Sequence, residues 1–198
     1  MSRPAAWAAA AVFVVAVAQL AVGAFAGLDQ FEGKAFGARL GFYPAMMLVA
    51  PAAWWLLRGR RGGAADPPWA AFALIMAPFL IDVTGNTLDL YDRVWWWDDA
   101  NHFANWLLLC LGIGLLLARG WRHTGAALAL TVAGVGALLA IGWEIAEWWA
   151  FIRHGTERTT AYEDTLGDEA LGTLGGTVAG AALWWRHTRR GDSGQSGE

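Results

Sequence analysis

Charge is scarce in this sequence. Only 16% of its 198 residues are Asp, Glu, Lys or Arg, against about 25% in an ordinary soluble domain. Net charge is -3, so nothing points to a nucleic-acid partner. One cysteine, Cys110, lies in an apolar run, which excludes a disulfide framework and leaves a free core thiol. There is no phosphate-binding glycine loop, no Gly-x-Ser-x-Gly turn and no redox cysteine pair. The chain is instead rich in apolar residues, which make up 57% of it.

Runs of about 20 apolar residues suffice to cross the hydrocarbon core of a bilayer. Six occur: Ala5 to Leu28, Gly37 to Leu57, Pro67 to Leu88, Asp99 to Ala118, Gly125 to Ile152 and Asp164 to Trp185. The expected fold is all-α, a polytopic membrane bundle of about six helices in one domain. The remainder, 186–198, reads as a short disordered tail. Segment one ends in "GAFA", like a cleavage site, but its apolar core is too long for a signal peptide, and an uncleaved first helix is expected. Pro44, Pro51 and Pro78 fall inside spans and are expected to kink them.

Basic residues set the orientation. With the N-terminus in the cytoplasm, Arg3, Arg58, Arg60, Arg61, Arg119, Arg122, Arg186, Arg189 and Arg190 are cytoplasmic, nine of the fourteen basic residues. Lys34, Arg39, Arg93, Arg153 and Arg158 lie on the other face. Both termini are therefore expected inside. Tryptophans cluster near span ends, as an interfacial belt requires.

The acids are more lopsided. Asp66, Asp192 and Glu198 fall on the inner side; the other fourteen of seventeen lie outside or in the outer ends of helices. Within a membrane such groups usually face the bundle interior or water. Their spacing is helical. Asp82, Asn86 and Asp89 end segment three; Asp98, Asp99, His102 and Asn105 begin segment four. Glu144 and Glu147 lie three apart in segment five, Asp164 and Asp168 four apart in segment six. Residues three or four apart share a helix face. In segment six Asp168, Gly172, Gly176 and Gly180 recur every four residues, a small-residue stripe that lets helices approach closely. The carboxylates continue that packing face and are expected to point into the bundle. No Lys or Arg lies between the ends of segments three to six. So many carboxylates cannot all stay ionised and unpaired; they need protons, arginines or a cation.

These motifs resemble a known family. "WWDDANHF", "GWEIAEWW" and "YEDTLGDEALGTLGGTVAG", with "DVTGNTLDLYDR" upstream, resemble the YjdF-type bacterial inner-membrane proteins of unknown function. There is a more distant likeness to VanZ-like membrane proteins, linked to glycopeptide-antibiotic tolerance. Asp98 with His102, Glu144, and Asp164 or Asp168 match their pattern; Glu147 stands where those proteins often have Gln. The resemblance implies a multi-pass membrane fold and no established reaction.

Each polar group has a plain reading beside the functional one. His102 can simply hydrogen-bond between helices. Glu144 and Glu147 can pair with Arg153 or Arg158. Asp164 and Asp168 can serve the N-terminus of segment six, where negative charge is favoured. The sharper reading joins Asp98, Asp99, His102, Glu144, Glu147, Asp164 and Asp168 around a divalent metal ion. Asp82, Asn86, Asp89 and Asn105 complete the polar site, and His102, Glu144 and Asp168 are the catalytic candidates. Asp99-x-x-His102 and Glu144-x-x-Glu147 are similar to the helix pairs of di-metal bundles, and oxygen ligands with one imidazole suit Mg, Mn, Ca or Zn.

Three function classes remain: a membrane enzyme performing metal-assisted chemistry on a lipid or lipid-linked envelope precursor, a binder or carrier of a cation or amphiphile, and an interaction subunit of a larger membrane complex. Membrane lipids, a lipid-like substrate and a membrane-protein partner are the corresponding partners. No inverted repeat of the transporter kind is evident. The topology is tested by single cysteines at Arg60 and Thr156: position 156 is expected to label from outside intact cells, and labelling of position 60 would overturn the orientation.

Overall fold

The computed structural model describes residues 3–58, 66–150, 152–154 and 161–195. Arg60, Arg61, Thr156, Arg158 and Glu198 lie outside the described residues. The chain is all-helical, with no strand among the described residues: α1 (Arg3–Phe25), α2 (Phe36–Arg58), α3 (Trp69–Thr87), α4 (Leu90–Arg93), α5 (Trp97–Ala118), α6 (Gly125–Ala150) and α7 (Ala161–Gln195). Five of these, α1, α2, α3, α5 and α6, are long and apolar enough to span a membrane. The sixth expected span lies inside α7, a 35-residue helix not among those five. Its acidic first turns and its glycine- and threonine-rich middle lower its apolar content. Part of the expected tail, residues 186–195, also belongs to α7.

The chain divides into two compact units, Met1–Asp98 and Asp99–Glu198. In the first, α1 packs on α3 and α2. Pro4 sits in the first turn of α1, where its missing N–H costs nothing. Gly27, at φ 62°, follows the last turn in the left-handed conformation that ends many helices. Pro44 and Pro51 lie within α2 and Pro78 within α3, and each helix continues through them. Ala16, Leu20, Met47, Phe72 and Val83 form the sealed core. The Phe36 ring occupies the space a side chain at Gly23 would need. Thr87 Oγ1 donates to Gln19 Oε1 at 3.0 Å, and Gln30 Nε2 donates to the Thr87 carbonyl at 2.6 Å, tying α1 and the turn after it to the end of α3.

The second unit is α5, α6 and α7, set by small residues. A Cβ on Gly176 would lie 3.3 Å from the Gly136 Cα on α6. A Cβ on Gly180 would lie 2.5 Å from the Ala129 carbonyl oxygen, and one on Gly175 would lie 2.6 Å from the Phe103 carbonyl oxygen on α5. Trp106 of α5 fills the space over Gly172, and Leu183 of α7 fills the space over Gly114. Cys110 is buried and free where the three helices cross, its Sγ against both Gly136 and Gly176. Leu128, Val132, Ala179 and Leu183 pack around it.

Such contacts leave no room for larger side chains. Gly176→Leu is expected to destabilise the protein by about 1–3 kcal/mol, the usual cost of overpacking. Gly180→Ala should also lower the thermal midpoint in detergent, because its neighbour is rigid backbone. An unchanged midpoint for both variants would count against this packing.

Candidate functional site

The four-residue stripes of α5 and α7 run alongside each other. Trp106 meets Gly172, and Cys110 meets Gly176. One turn before Trp106 stands His102; one turn before Gly172 stands Asp168. The register therefore brings them together, with His102 Nδ1 3.4 Å from Asp168 Oδ1. Both side chains are largely buried, 12% and 7% exposed. Asp98 lies on the first turn of α5, four residues before His102 and so on the same face. One ligating atom from each of Asp98, His102 and Asp168 lies within 4.8 Å of the others.

Asp99 is exposed, so Asp98 takes the place beside His102 that the spacing alone left open between them. Asn105 Nδ2 donates to Asn101 Oδ1 at 2.8 Å, and Asn101 is buried. Those two amides share the α5 face that also carries Trp97.

Glu144 is buried at 7% exposure in α6. Among the described residues its charged neighbours include Glu147, Glu169 and Asp164, and the Thr165 side chain hydrogen-bonds to it. Asp164 itself is exposed and Glu147 half-buried. Glu169 was missed from the sequence because it sits beside Asp168 but 100° around the helix, towards α6. Arg153, a sequence candidate to neutralise these acids, has its guanidinium stacked 4.0 Å from the Trp149 ring.

Asp82 has hydrogen-bond partners of its own within the first unit. Its Oδ2 accepts from Arg39 Nη1 at 2.7 Å and from the Tyr43 hydroxyl at 2.9 Å. Its Oδ1 accepts from the Tyr91 hydroxyl at 2.8 Å, and Asn86 Nδ2 donates to the Asp82 carbonyl at 3.0 Å. The arginine comes from the first turn of α2. Arg39 and Tyr43 are four residues apart on one face, and that spacing was the available signal. Burial, with the Asp82 carboxylate next in effect, holds the Tyr91 phenol well above its ordinary ionisation range, so it remains a donor. Asp89 leaves the α3 face altogether. It adopts a left-handed conformation at φ 58° between α3 and α4, and Lys34 Nζ lies 3.9 Å from its Oδ1. The hydrogen bond from Lys34 holds the exposed Asp92 carboxyl below the usual carboxylate range.

The Asp82 pair is four-fifths buried on both sides. Removing one partner of such a pair strands the other. Asp82→Asn is expected to cost about 3 kcal/mol, with the Arg39→Gln, Asp82→Asn double variant losing less than the sum of the singles in a thermal-unfolding cycle. Strict additivity would sink this assignment.

A family model described as "Predicted membrane protein (DUF2238)" matches residues 6–189. This is consistent with the YjdF-type resemblance; the VanZ-like resemblance has no counterpart in the match. No curated protein and no solved structure matches the chain.

Proposed function

For a chain that belongs to the DUF2238 family of predicted membrane proteins, we propose that Asp98, His102 and Asp168 hold a divalent metal ion. On this reading the protein is a membrane-embedded enzyme that performs metal-assisted hydrolysis or group transfer on a lipid or lipid-linked envelope substrate. We place it in the bacterial inner membrane, as the YjdF-type resemblance implies, with both termini cytoplasmic on the split of its basic residues.

The observation that carries the metal is the mutual distance of three ligating groups of the right kinds, all within 4.8 Å. Ligands held about 2.1 Å from a tetrahedral ion are about 3.4 Å apart. His102 Nδ1 and Asp168 Oδ1 stand at that separation, 3.4 Å, which is long for a charge-assisted hydrogen bond. Two carboxylates and one imidazole suit Mg, Mn, Ca or Zn. Three protein ligands leave a position for water or substrate, and a bound ion would supply Lewis-acid chemistry there. Glu144 is the residue we assign to move the proton. It is buried, and among the described residues its charged neighbours include the acids Glu147, Glu169 and Asp164. A lipid-linked substrate is the class we propose, because it would reach a site carried by a membrane chain.

A second reading rests on the same pair. A protonated His102 would bind Asp168 as an ion pair, fastening α5 to α7 with no metal, as an interaction subunit or a binder of amphiphiles would allow.

Elemental analysis of the purified protein separates the two. The metal reading expects a near-stoichiometric divalent ion in wild type, lost in His102→Ala and Asp168→Asn and retained in Glu144→Gln. Absence of metal at every pH, with severe loss of thermal stability in both ligand variants, would establish the ion pair instead.

A further inference from the structure

The end of the second unit opposite the acidic cluster is rich in arginine. Between Asp99 and Glu144 the chain has no acidic residue, and between Glu169 and Asp192 it has none. Within those stretches lie Arg119 and Arg122, in the turn from α5 to α6, and Arg186 and Arg189, on α7. All four side chains are exposed.

The fold gathers them. α5 and α7 run in the same direction, since His102, Trp106 and Cys110 meet Asp168, Gly172 and Gly176 in order. The end of α5 therefore emerges beside the C-terminal half of α7. At that level a Cβ on Gly125, the first residue of α6, would lie 2.9 Å from Trp184 Cδ1 and 3.2 Å from His187 Cβ. The Trp184 and His187 side chains of α7 thus pack against the start of α6, beside the α5–α6 turn, and arginines from both elements share one end.

Aromatic side chains fix the depth. Trp184 and Trp185 are exposed, and Trp121 Nε1 donates to the Thr124 carbonyl at 3.2 Å. Exposed tryptophans next to apolar spans sit at the headgroup level. Arg189 lies one turn, about 6 Å, beyond Trp185, its guanidinium 3.9 Å from the Trp185 ring centroid. A stacked guanidinium is preorganised, and its planar fork matches phosphate oxygens.

We propose that this basic end is a binding surface for anionic phospholipid headgroups, with Arg119, Arg122, Arg186 and Arg189 contacting their phosphates. The surface lies at the other end of the unit from the metal site and does not depend on it. Charge complementarity selects the occupant: cations from acid-free stretches of sequence, at headgroup depth, on a chain whose apolar helices already face lipid. Each basic residue near an anionic surface contributes about fivefold in affinity.

The test uses the full chain in bilayers of equimolar phosphatidylglycerol and phosphatidylcholine, followed by native mass spectrometry of the lipid retained. Wild type is expected to retain phosphatidylglycerol preferentially. Arg186→Gln with Arg189→Gln should cut that preference by about 25-fold. Arg186→Lys with Arg189→Lys should keep most of it, which separates lost charge from lost packing on Trp185. Arg119→Gln with Arg122→Gln is an independent pair should the α7 variant fold poorly, and it should weaken the preference too. Arg153→Gln, outside the basic end, should leave it unchanged. Equal retention of the two lipids by wild type, or full preference in both Gln pairs, would overturn the proposal. So would protection of the protein against thermal unfolding by inorganic phosphate equal to that by phosphatidylglycerol, which would make the surface a free-phosphate site.

Discussion

The second unit depends on how closely α7 can approach its neighbours. Lipid tails are as apolar as leucine, so burial alone does not drive helices together in a membrane; close packing and internal hydrogen bonds do. Glycine at Gly172, Gly175, Gly176 and Gly180 supplies that closeness on two sides, backbone against backbone with α6 and with α5. Once those contacts are made, sliding either helix by a residue would drive Trp106 or the Ala129 carbonyl into occupied space. The same register sets His102 against Asp168. Geometry at the polar end is therefore inherited from packing at the apolar middle, and the site needs no separate scaffold.

The two units treat buried acid differently. In the first, Asp82 is met by a guanidinium, two phenols and an amide, so its charge is compensated within hydrogen-bond distance. A carboxylate so satisfied is a fastening: it joins α2, α3 and α4 at one point. In the second, among the described residues, Glu144 lies near the acids Glu147, Glu169 and Asp164, with a hydrogen bond from Thr165. Leaving like charges together in a poorly solvated place costs several kcal/mol unless a proton or a cation intervenes.

Much of this was legible because helical period and apolar length are local properties. The apolar runs mark the helices, and the step of four in Asp168, Gly172, Gly176 and Gly180 marks the packing face of α7. Other features were not local. Arg39 and Asp82 are 43 residues apart, and no spacing rule pairs them. Asp98 and Asp99 are adjacent at a helix start, where a 100° rotation decides which one faces inward, and only tertiary contact resolves it. Asp89 continues the α3 spacing in sequence, but α3 ends at Thr87 and the left-handed turn redirects the chain. Length and hydropathy also treat α7 differently from its neighbours, because its acidic first turns and the glycines that pack it both lower its apolar content.

Cys110 is a thiol used as filler between glycines. Its sulfur is sealed at the crossing of three helices, 1% exposed. An oxidant or alkylating reagent needs access, and this position grants none. No second chain can reach the sulfur while α5, α6 and α7 remain together. A disulfide-linked dimer of this protein on a non-reducing gel would thus report helices that have come apart, and never native assembly.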